Sequence, residues 1–192
     1  KLRSSLTMLG MIIGVAAVIA MLAIGGGAQE RVREQLKNLG SNLMLILPGS
    51  TTASGVRLGT GAAQTLTEED ALAIAVDVEG VVVAAPSVRG SGQVSAGNAN
   101  WATQYFGTNN DYLIARDWPL SAGRLFEPAE LSGAGKVALI GQTTARQLFG
   151  DLDPIDQVIR VRKVPLTIIG VLDRKGQNSL GQDQDDIVQM PL

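Results

Sequence analysis

The feature that most constrains this chain is an uncharged, apolar run of 23 residues from Leu6 to Ala28. As an α-helix the run would measure about 34 Å, enough to cross a hydrocarbon core of about 30 Å. A helix pairs its backbone polar groups internally, so it can lie in lipid without partners. We therefore predict a transmembrane helix within residues 1–28. Two weaker alternatives are a signal peptide, with Lys1 and Arg3 before the run and small residues at its end, and a buried helix of a soluble protein.

Small residues on this helix are candidates for helix packing. Gly10 and Gly14 form a GxxxG pair, and Ala17 extends the same small face by one more turn. Such a face lets a neighbouring helix approach closely. The sequence therefore predicts a helix–helix contact at Gly10, Gly14 and Ala17.

The residues after the apolar run form a polar helical pattern. Val32, Leu36 and Leu39 recur at helical spacing among charged side chains, which predicts a helical stalk over residues 29–40. Gly25, Gly26 and Gly27 separate the span from the stalk and are a candidate hinge. The alternative is that these glycines are tolerated within one continuous helix.

Charge and composition exclude several classes of function. The 192 residues contain no cysteine and no histidine, which excludes disulfides, thiolate metal sites and a Ser-His-Asp hydrolase. Residues 1–40 hold five Lys or Arg and two Asp or Glu, whereas residues 41–192 hold eleven and sixteen. The net charge of -2 offers no basic surplus for nucleic acid. No Gly-Lys pair is followed by Ser or Thr, so this stretch has no phosphate-binding loop and does not hydrolyse ATP.

The remainder of the chain mixes strands and short helices. We predict strands at 42–49, 81–85, 136–140, 157–161, 166–172 and 187–190, a hairpin within 90–108, and helices beginning at Thr67, Asn110 and Gln142. Residues 49–65 are predicted to form a loop, and Lys163-Val164-Pro165 to separate two of the strands. This order indicates an α+β fold with two small lobes that divide near residues 117–135.

Charged side chains cluster in one loop and near several strands. Asp183, Asp185 and Asp186 could hold a hard cation, but their spacing does not match an EF-hand, and a solvated acidic turn is the favoured interpretation. Four cations are interpreted as solvent-facing strand residues, with a partner-binding patch as the alternative: Lys136, Arg160, Arg162 and Lys163. No catalytic, cofactor-binding or metal-binding residue is assigned.

Four stretches of the sequence resemble one known family. They are KLRSSLTMLGMIIGVAAVIAMLAIGGGAQ at the start, LGSNLMLILPG at 39–49, VALIGQTTARQLFGDLDPIDQVIRV at 137–161 and PLTIIGVLDRKGQNSLGQDQDDIVQMPL at 165–192. The chain is similar in these segments to MacB-type ABC transporter permeases, the FtsX-like permease superfamily. One departure is Asp156, where the family usually has Gly.

The resemblance implies a place in the cell and a domain order. It implies a bacterial inner-membrane protein whose residues 30–192 lie in the periplasm or outside the cell. Residues 41–135 would be the first part of a porter-like lobe, and residues 136–192 a small α/β lobe with a return strand. Because the chain begins with Lys1, we expect it to be part of a longer protein.

The resemblance also implies a function. This would be the permease of an ABC exporter for drugs, peptides or lipoproteins, in which ATP hydrolysis inside the cell moves the first helix and so the outer domain. The chain itself would not be an enzyme. ATP and Mg would be used by an ATPase domain or subunit outside it, and a permease dimer, a periplasmic adaptor and an outer-membrane channel would be partners.

Two other functions compete with the permease. One is a single-span, membrane-anchored extracytoplasmic sensor or binding domain, and the other is an anchored hydrolase that uses carboxylates. Three further apolar stretches of about 20 residues downstream would favour the permease over the single-span sensor.

Overall fold

The computed structural model describes residues 2–38, 43–49, 52–53, 56–57, 66–178 and 181–192. The chain forms two compact units, Lys1–Ser41 and Asn42–Leu192. The first unit is a long helix, and the second combines short helices with a seven-stranded sheet. The prediction of an α+β fold is confirmed.

The first unit is the helix α1 (Leu2–Asn38), which runs for 37 residues without interruption. Its stretch Met8–Gly27 has a mean hydropathy of 2.5 and is 0% buried. The large apolar side chains of this stretch are between 55% and 77% exposed. By length and composition this helix can cross a membrane, and its exposure does not fit the buried core helix considered above.

The second unit begins with a segment in which two strand predictions are wrong. Residues 43–49 have no regular structure, and the side chains of Leu43–Leu47 are 46% to 83% exposed. Residues 81–86 are also irregular, and Val82 is 90% exposed. The physical reason is shared: a strand needs a ladder partner for its backbone, and the described part of the chain pairs no strand with either run.

Between these two runs lie a small ladder and a helix. The short strands β1 (Thr52–Ala53) and β2 (Val56–Arg57) pair in antiparallel fashion inside the predicted loop. The helix α2 (Glu68–Asp77) begins as predicted, because Thr67 and Asp70 form a capping box. None of the residues of α2 is buried.

The main sheet is built from seven strands with three short helices between them. In chain order these are β3 (Ser87–Ala96), β4 (Ala99–Thr108), α3 (Asp111–Ala115), β5 (Leu120–Gly123), α4 (Pro128–Ser132), β6 (Val137–Ile140), α5 (Gln142–Phe149), β7 (Val158–Val161), β8 (Val164–Leu172) and β9 (Ile187–Pro191). The predicted hairpin is confirmed as β3 and β4, and the predicted helices as α3 and α5. The strand β5 and the helix α4 were not predicted.

The sheet closes into a ring. The strand order is β5-β8-β6-β9-β4-β3-β7, and β7 also pairs with β8. Six strands therefore form a closed circuit, while β5 shares one edge of β8 with β7. The last strand, β9, lies between β4 and β6, parallel to the first and antiparallel to the second.

Two apolar cores lie on the two faces of this ring. The first core takes side chains from five strands and is covered by Ala145 and Leu148 of α5, so it fills the inside of the ring. The second core packs α3 and the rings of Trp118 and Phe126 against the outward side chains of β4, β6, β8 and β9. The side chains that define the cores include Val94, Ile140, Ile159, Ile168 and Val188 in the first, and Phe106, Leu139, Ile169, Leu172 and Ile187 in the second.

Two predicted boundaries change. The predicted division near 117–135, drawn as 41–135 and 136–192, does not separate two lobes. The strands β3 and β4 lie in the same sheet as β6, β7, β8 and β9. The turn before β8 is Arg162-Lys163, with φ of 47° and 73°, and Val164 and Pro165 belong to the strand. Asp156 has a φ of 63°, a left-handed conformation that explains why glycine suits this position.

Candidate functional site

The candidate packing residues lie on an open face of α1. Added Cβ atoms at Gly10 and Gly14 would meet nothing within 4 Å, and Ala17 is exposed. Gly25, Gly26 and Gly27 lie within the helix and are equally open. Close packing at this face and a hinge at the three glycines both stay predictions.

The most elaborate polar site of the second unit is the loop between β8 and β9, which we call the acidic loop (residues 173–186). Asp185 is 2% exposed, and Asp186 is partly buried. The interpretation as a solvated acidic turn is therefore wrong for these two residues, because the fold uses their carboxylates as internal hydrogen-bond acceptors.

Asp186 ties the acidic loop to the ring. Its Oδ1 accepts hydrogen bonds from Trp101 Nε1 at 2.9 Å and from Thr144 Oγ1 at 3.1 Å. The hydroxyl of Thr144 is also 3.4 Å from that of Thr103. The carboxylate thus joins β4, α5 and the loop at one point, with charge-assisted bonds that are stronger than neutral ones.

The start of α5 forms the second attachment. Thr143 donates from Oγ1 to Asp183 Oδ2 at 2.7 Å and from its backbone to the carbonyl of Asp185 at 3.2 Å. A Cβ atom at Gly141 would lie 2.1 Å from that carbonyl oxygen. The loop can approach α5 this closely only because residue 141 has no side chain.

Asp185 holds the two arms of the loop together. Its carboxylate accepts from the backbone of Lys175 at 2.7 Å and of Gly176 at 2.9 Å, and Arg174 Nε lies 4.0 Å away. The three aspartates thus bind protein donors in this structure. Among the described residues no group of three or more metal-ligating side chains exists.

The first residues of the acidic loop contact the segment that contains Arg116 and Trp118. Lys175 Nζ donates to the carbonyl of Arg116 and lies 5.5 Å from the ring of Trp118. Burial, with the nearby positive charge of Arg116, lowers the pKa of Lys175. Trp118 donates from Nε1 to the carbonyl of Asp173 at 2.7 Å, so the loop is attached to the segment that follows α3 as well as to α5.

A cleft of about 350 Å³ opens between the acidic loop and α5. Its lining is polar and carries both signs of charge: Gln142, Thr143, Arg146, Arg174, Gly176, Gln177, Asp183 and Asp185. Such a lining can hydrogen-bond a polar group, and its one hydroxyl, that of Thr143, donates to the carboxylate of Asp183. The hydrogen bonds described above support a structural role for the acidic loop, which attaches β9 to α5.

The four cations predicted to face solvent do so, but only Arg160 lies in a strand, because Lys136 precedes β6 and Arg162 and Lys163 form the turn before β8. Lys136, Arg160, Arg162 and Lys163 are all exposed. The guanidinium of Arg162 lies 5.4 Å from the ring of Tyr105, which is a cation–π distance. A partner-binding role for these four residues stays a prediction.

A separate ion pair gives the second unit a pH dependence. Arg124 donates two hydrogen bonds to the carboxylate of Glu130, at 2.7 and 2.8 Å, and the backbone of Glu127 donates a third at 2.8 Å. The hydrogen bonds from Arg124 are the main reason why the pKa of Glu130 falls to about 2.

Replacing Glu130 with Gln is expected to lower the melting temperature by about 3 °C at pH 7, since solvent screens the partly exposed Arg124. A carboxyl with a lowered folded pKa stabilises the fold above its unfolded pKa of about 4.3, and this stabilisation is lost as the pH falls towards 2. Melting curves of both proteins at several pH values should therefore converge over this range. The control is Glu127→Gln, which removes an exposed carboxylate 3.6 Å from Arg124. A difference in melting temperature between the unchanged protein and Glu130→Gln that stayed constant at all pH values would contradict the lowered pKa of Glu130.

Comparison with known proteins gives a consistent result. Residues 4–192 match a family model described as MacB-like periplasmic core domain. The chain is 40% identical over 191 residues to the macrolide export ATP-binding/permease protein MacB of Syntrophobacter fumaroxidans, and 42% identical over 192 residues to that of Rhodospirillum rubrum. These matches cover 99% of the chain but only 27% and 29% of the relatives.

Solved structures show the same fold. The periplasmic region of MacB from Actinobacillus actinomycetemcomitans superimposes with a TM-score of 0.59 at 20% identity, over 69% of this chain and 57% of that one. The extracellular domain of the noncanonic ABC-type transporter YknZ from Gram-positive bacteria gives a TM-score of 0.56 at 21% identity, over 66% and 62%.

Proposed function

Because the chain belongs to the family of MacB-like periplasmic core domains, we propose that it is part of the permease of an ABC exporter. On this proposal α1 crosses the bacterial inner membrane, and the second unit works outside the cytoplasm. ATP and Mg would be used by a domain or subunit outside this stretch, and the relatives are named ATP-binding/permease proteins. Those relatives are named for macrolide export. For this chain the proposed substrates are drugs, peptides or lipoproteins, with macrolides as one class of drug.

The observation that carries the proposal is the continuity of α1. Its apolar stretch of 20 residues spans about 30 Å, and the helix then continues to Asn38 for about 16 Å more. A helix has all its backbone hydrogen bonds inside itself, so a displacement at one end can be passed to the other. The fold therefore suits a module that transmits motion, in a permease dimer with an ATPase and, in a two-membrane bacterium, an adaptor and an outer-membrane channel.

The experiment breaks the stalk without touching the rest of the protein. Arg33→Pro in the longer protein is expected to reduce ATP-driven export at least tenfold while ATP hydrolysis continues, because Pro interrupts the helix. Arg33→Ala is the control and keeps the helix. Export and hydrolysis would be measured in proteoliposomes, and export that survives the Pro variant would contradict mechanical transmission. A membrane-anchored sensor, the competing function, would show no ATP-dependent export in either form.

The open small-residue face of α1 predicts where the two permeases meet. Gly14→Leu is expected to weaken helix association about fivefold, through lost close packing, without preventing membrane insertion. Ala16→Leu adds the same side chain about 160° further round the helix and is the control. Since the chain has no cysteine, crosslinking from a single introduced cysteine reports the contact. Unchanged crosslinking and unchanged transport in Gly14→Leu would refute it.

A further inference from the structure

Two arginines line the cleft between the acidic loop and α5. Arg146 lies on α5 one turn after Gln142, so these two side chains share one face of the helix, and Arg174 lies in the acidic loop. Within the described residues neither guanidinium donates a hydrogen bond, and Arg174 Nε lies 4.0 Å from Asp185 Oδ2. Both arginines are exposed. The cleft therefore presents two guanidinium groups whose N–H donors are available to a bound group.

The carboxylates of the cleft already accept hydrogen bonds from the protein. Asp183 accepts from Thr143 Oγ1 at 2.7 Å and from the backbone of Asp185 at 2.9 Å, and Asp185 accepts from two backbone N–H groups. Their negative charges remain, so the two cations and two anions of the lining sum to zero. A phosphate dianion would be repelled by both aspartates. A single carboxylate suits the planar guanidinium groups, and an ammonium group beside it suits the exposed carboxylate of Asp183.

The size and polarity of the cleft limit the ligand further. Its volume of about 350 Å³ is at the small end of ligand clefts, which measure about 300–1,000 Å³. Its lining residues, all in the described part of the chain, include no aromatic or large apolar side chain, and Gln142 and Gln177 add amide groups. A large apolar ring such as that of a macrolide would find few contacts here. The cleft suits a small, polar ligand that carries both signs of charge.

We propose that the cleft binds a free α-amino acid with a polar side chain, with its carboxylate on Arg146 and Arg174 and its ammonium group facing Asp183. Because this ligand would contact both α5 and the acidic loop, its binding should strengthen their attachment and raise the melting temperature of the chain. The inference rests on the cleft alone and does not depend on the transport proposal.

Isothermal titration calorimetry of the detergent-solubilised chain tests the proposal with four probes. L-glutamine is expected to bind. N-acetyl-L-glutamine lacks the ammonium group and L-glutaminamide lacks the carboxylate, so each should bind at least tenfold more weakly. Inorganic phosphate carries charge of one sign only and should also bind at least tenfold more weakly.

Single substitutions assign the contacts of the ligand. Arg146→Gln and Arg174→Gln should each weaken the binding of L-glutamine at least tenfold. The control is Arg160→Gln, at an exposed residue of β7 outside the cleft, which should leave binding unchanged. Asp183→Asn keeps an oxygen acceptor for Thr143 but removes the negative charge, so it should weaken the binding of L-glutamine and not that of N-acetyl-L-glutamine. Melting curves without ligand check that each variant is folded.

Three results would overturn the inference. If L-glutamine showed no saturable binding up to its solubility, the cleft would not be a site for such a ligand. If phosphate or N-acetyl-L-glutamine bound as tightly as L-glutamine, the cleft would be a general anion site. If L-glutamine bound equally well to both arginine variants and to the unchanged chain, its site would lie elsewhere on the protein.

Discussion

Replacing Gly141 with Ala is expected to detach the acidic loop from α5 and to lower the free energy of unfolding by about 3 kcal/mol. The backbone of Gly141, with φ of -78° and ψ of 162°, suits any residue, so the cost is steric. The added Cβ would lie 2.1 Å from the carbonyl oxygen of Asp185 and 2.8 Å from its carbon. Backbone atoms cannot rotate aside as a side chain can, and the loop must move.

That movement has identifiable consequences. The hydrogen bonds from Gly141 to Ile187 at 2.9 Å and from Thr143 to Asp185 at 3.2 Å would lengthen, which frees the loop at its end nearest β9. Urea unfolding of the detergent-solubilised chain, followed by the fluorescence of Trp101 and Trp118, measures the loss. Gly92→Ala is the control, since its Cβ would lie 3.6 Å from the ring of Tyr105, an ordinary contact. Equal stabilities of the two variants would contradict the predicted clash.

Replacing Asp185 with Ala is the second large prediction, with an expected loss of about 3 kcal/mol. The carboxylate is 2% exposed and accepts two backbone hydrogen bonds, from Lys175 and Gly176. Its removal leaves both donors without their partner at a site that water reaches poorly, and an unpaired buried donor costs more than the bond itself contributes. Amide hydrogen exchange at residues 175 and 176 should accelerate before global unfolding.

Two further variants separate the causes. Asp185→Asn keeps the size of the side chain but turns one acceptor into a donor, so it should lose about half as much stability. Asp151→Ala removes an equal charge from an exposed turn and should change stability by less than about 0.5 kcal/mol. If Asp185→Ala and Asp151→Ala behaved alike, the loss would be one of net charge and not of the hydrogen bonds.

Local signals predicted much of this fold from the sequence. The helix α5 begins at Gln142 as predicted, directly after the strand β6 and Gly141. Thr67 predicted the start of α2 as a capping residue, and the structure adds the capping box with Asp70. The predicted strands at 136–140 and 187–190 became β6 and β9, in which most residues are apolar and buried, although the buried Gln189 interrupts the second. These features depend on neighbours within a few residues.

The remaining features depend on residues far apart in sequence. The runs at 43–47 and 81–85 have the composition of strands, yet pairing is a property of two segments and not of one. The aspartates of the acidic loop looked like surface charges because their donors, Trp101 and Thr144, lie 85 and 42 residues from Asp186. The sequence around Gly141 did not indicate that glycine is required there. The requirement comes from the acidic loop, whose backbone leaves no room for a Cβ atom at this position.

The position of β9 has a consequence for the synthesis of this protein. The strand that leaves the ribosome last in this stretch fills the middle of the sheet, between β4 and β6. Its pairing with β4 joins residues 104–108 to residues 187–191, so the ring cannot close until the chain is complete to that point. Pairings of such long range are slow to form. The folding chain should therefore pass through a state in which both apolar cores are still open.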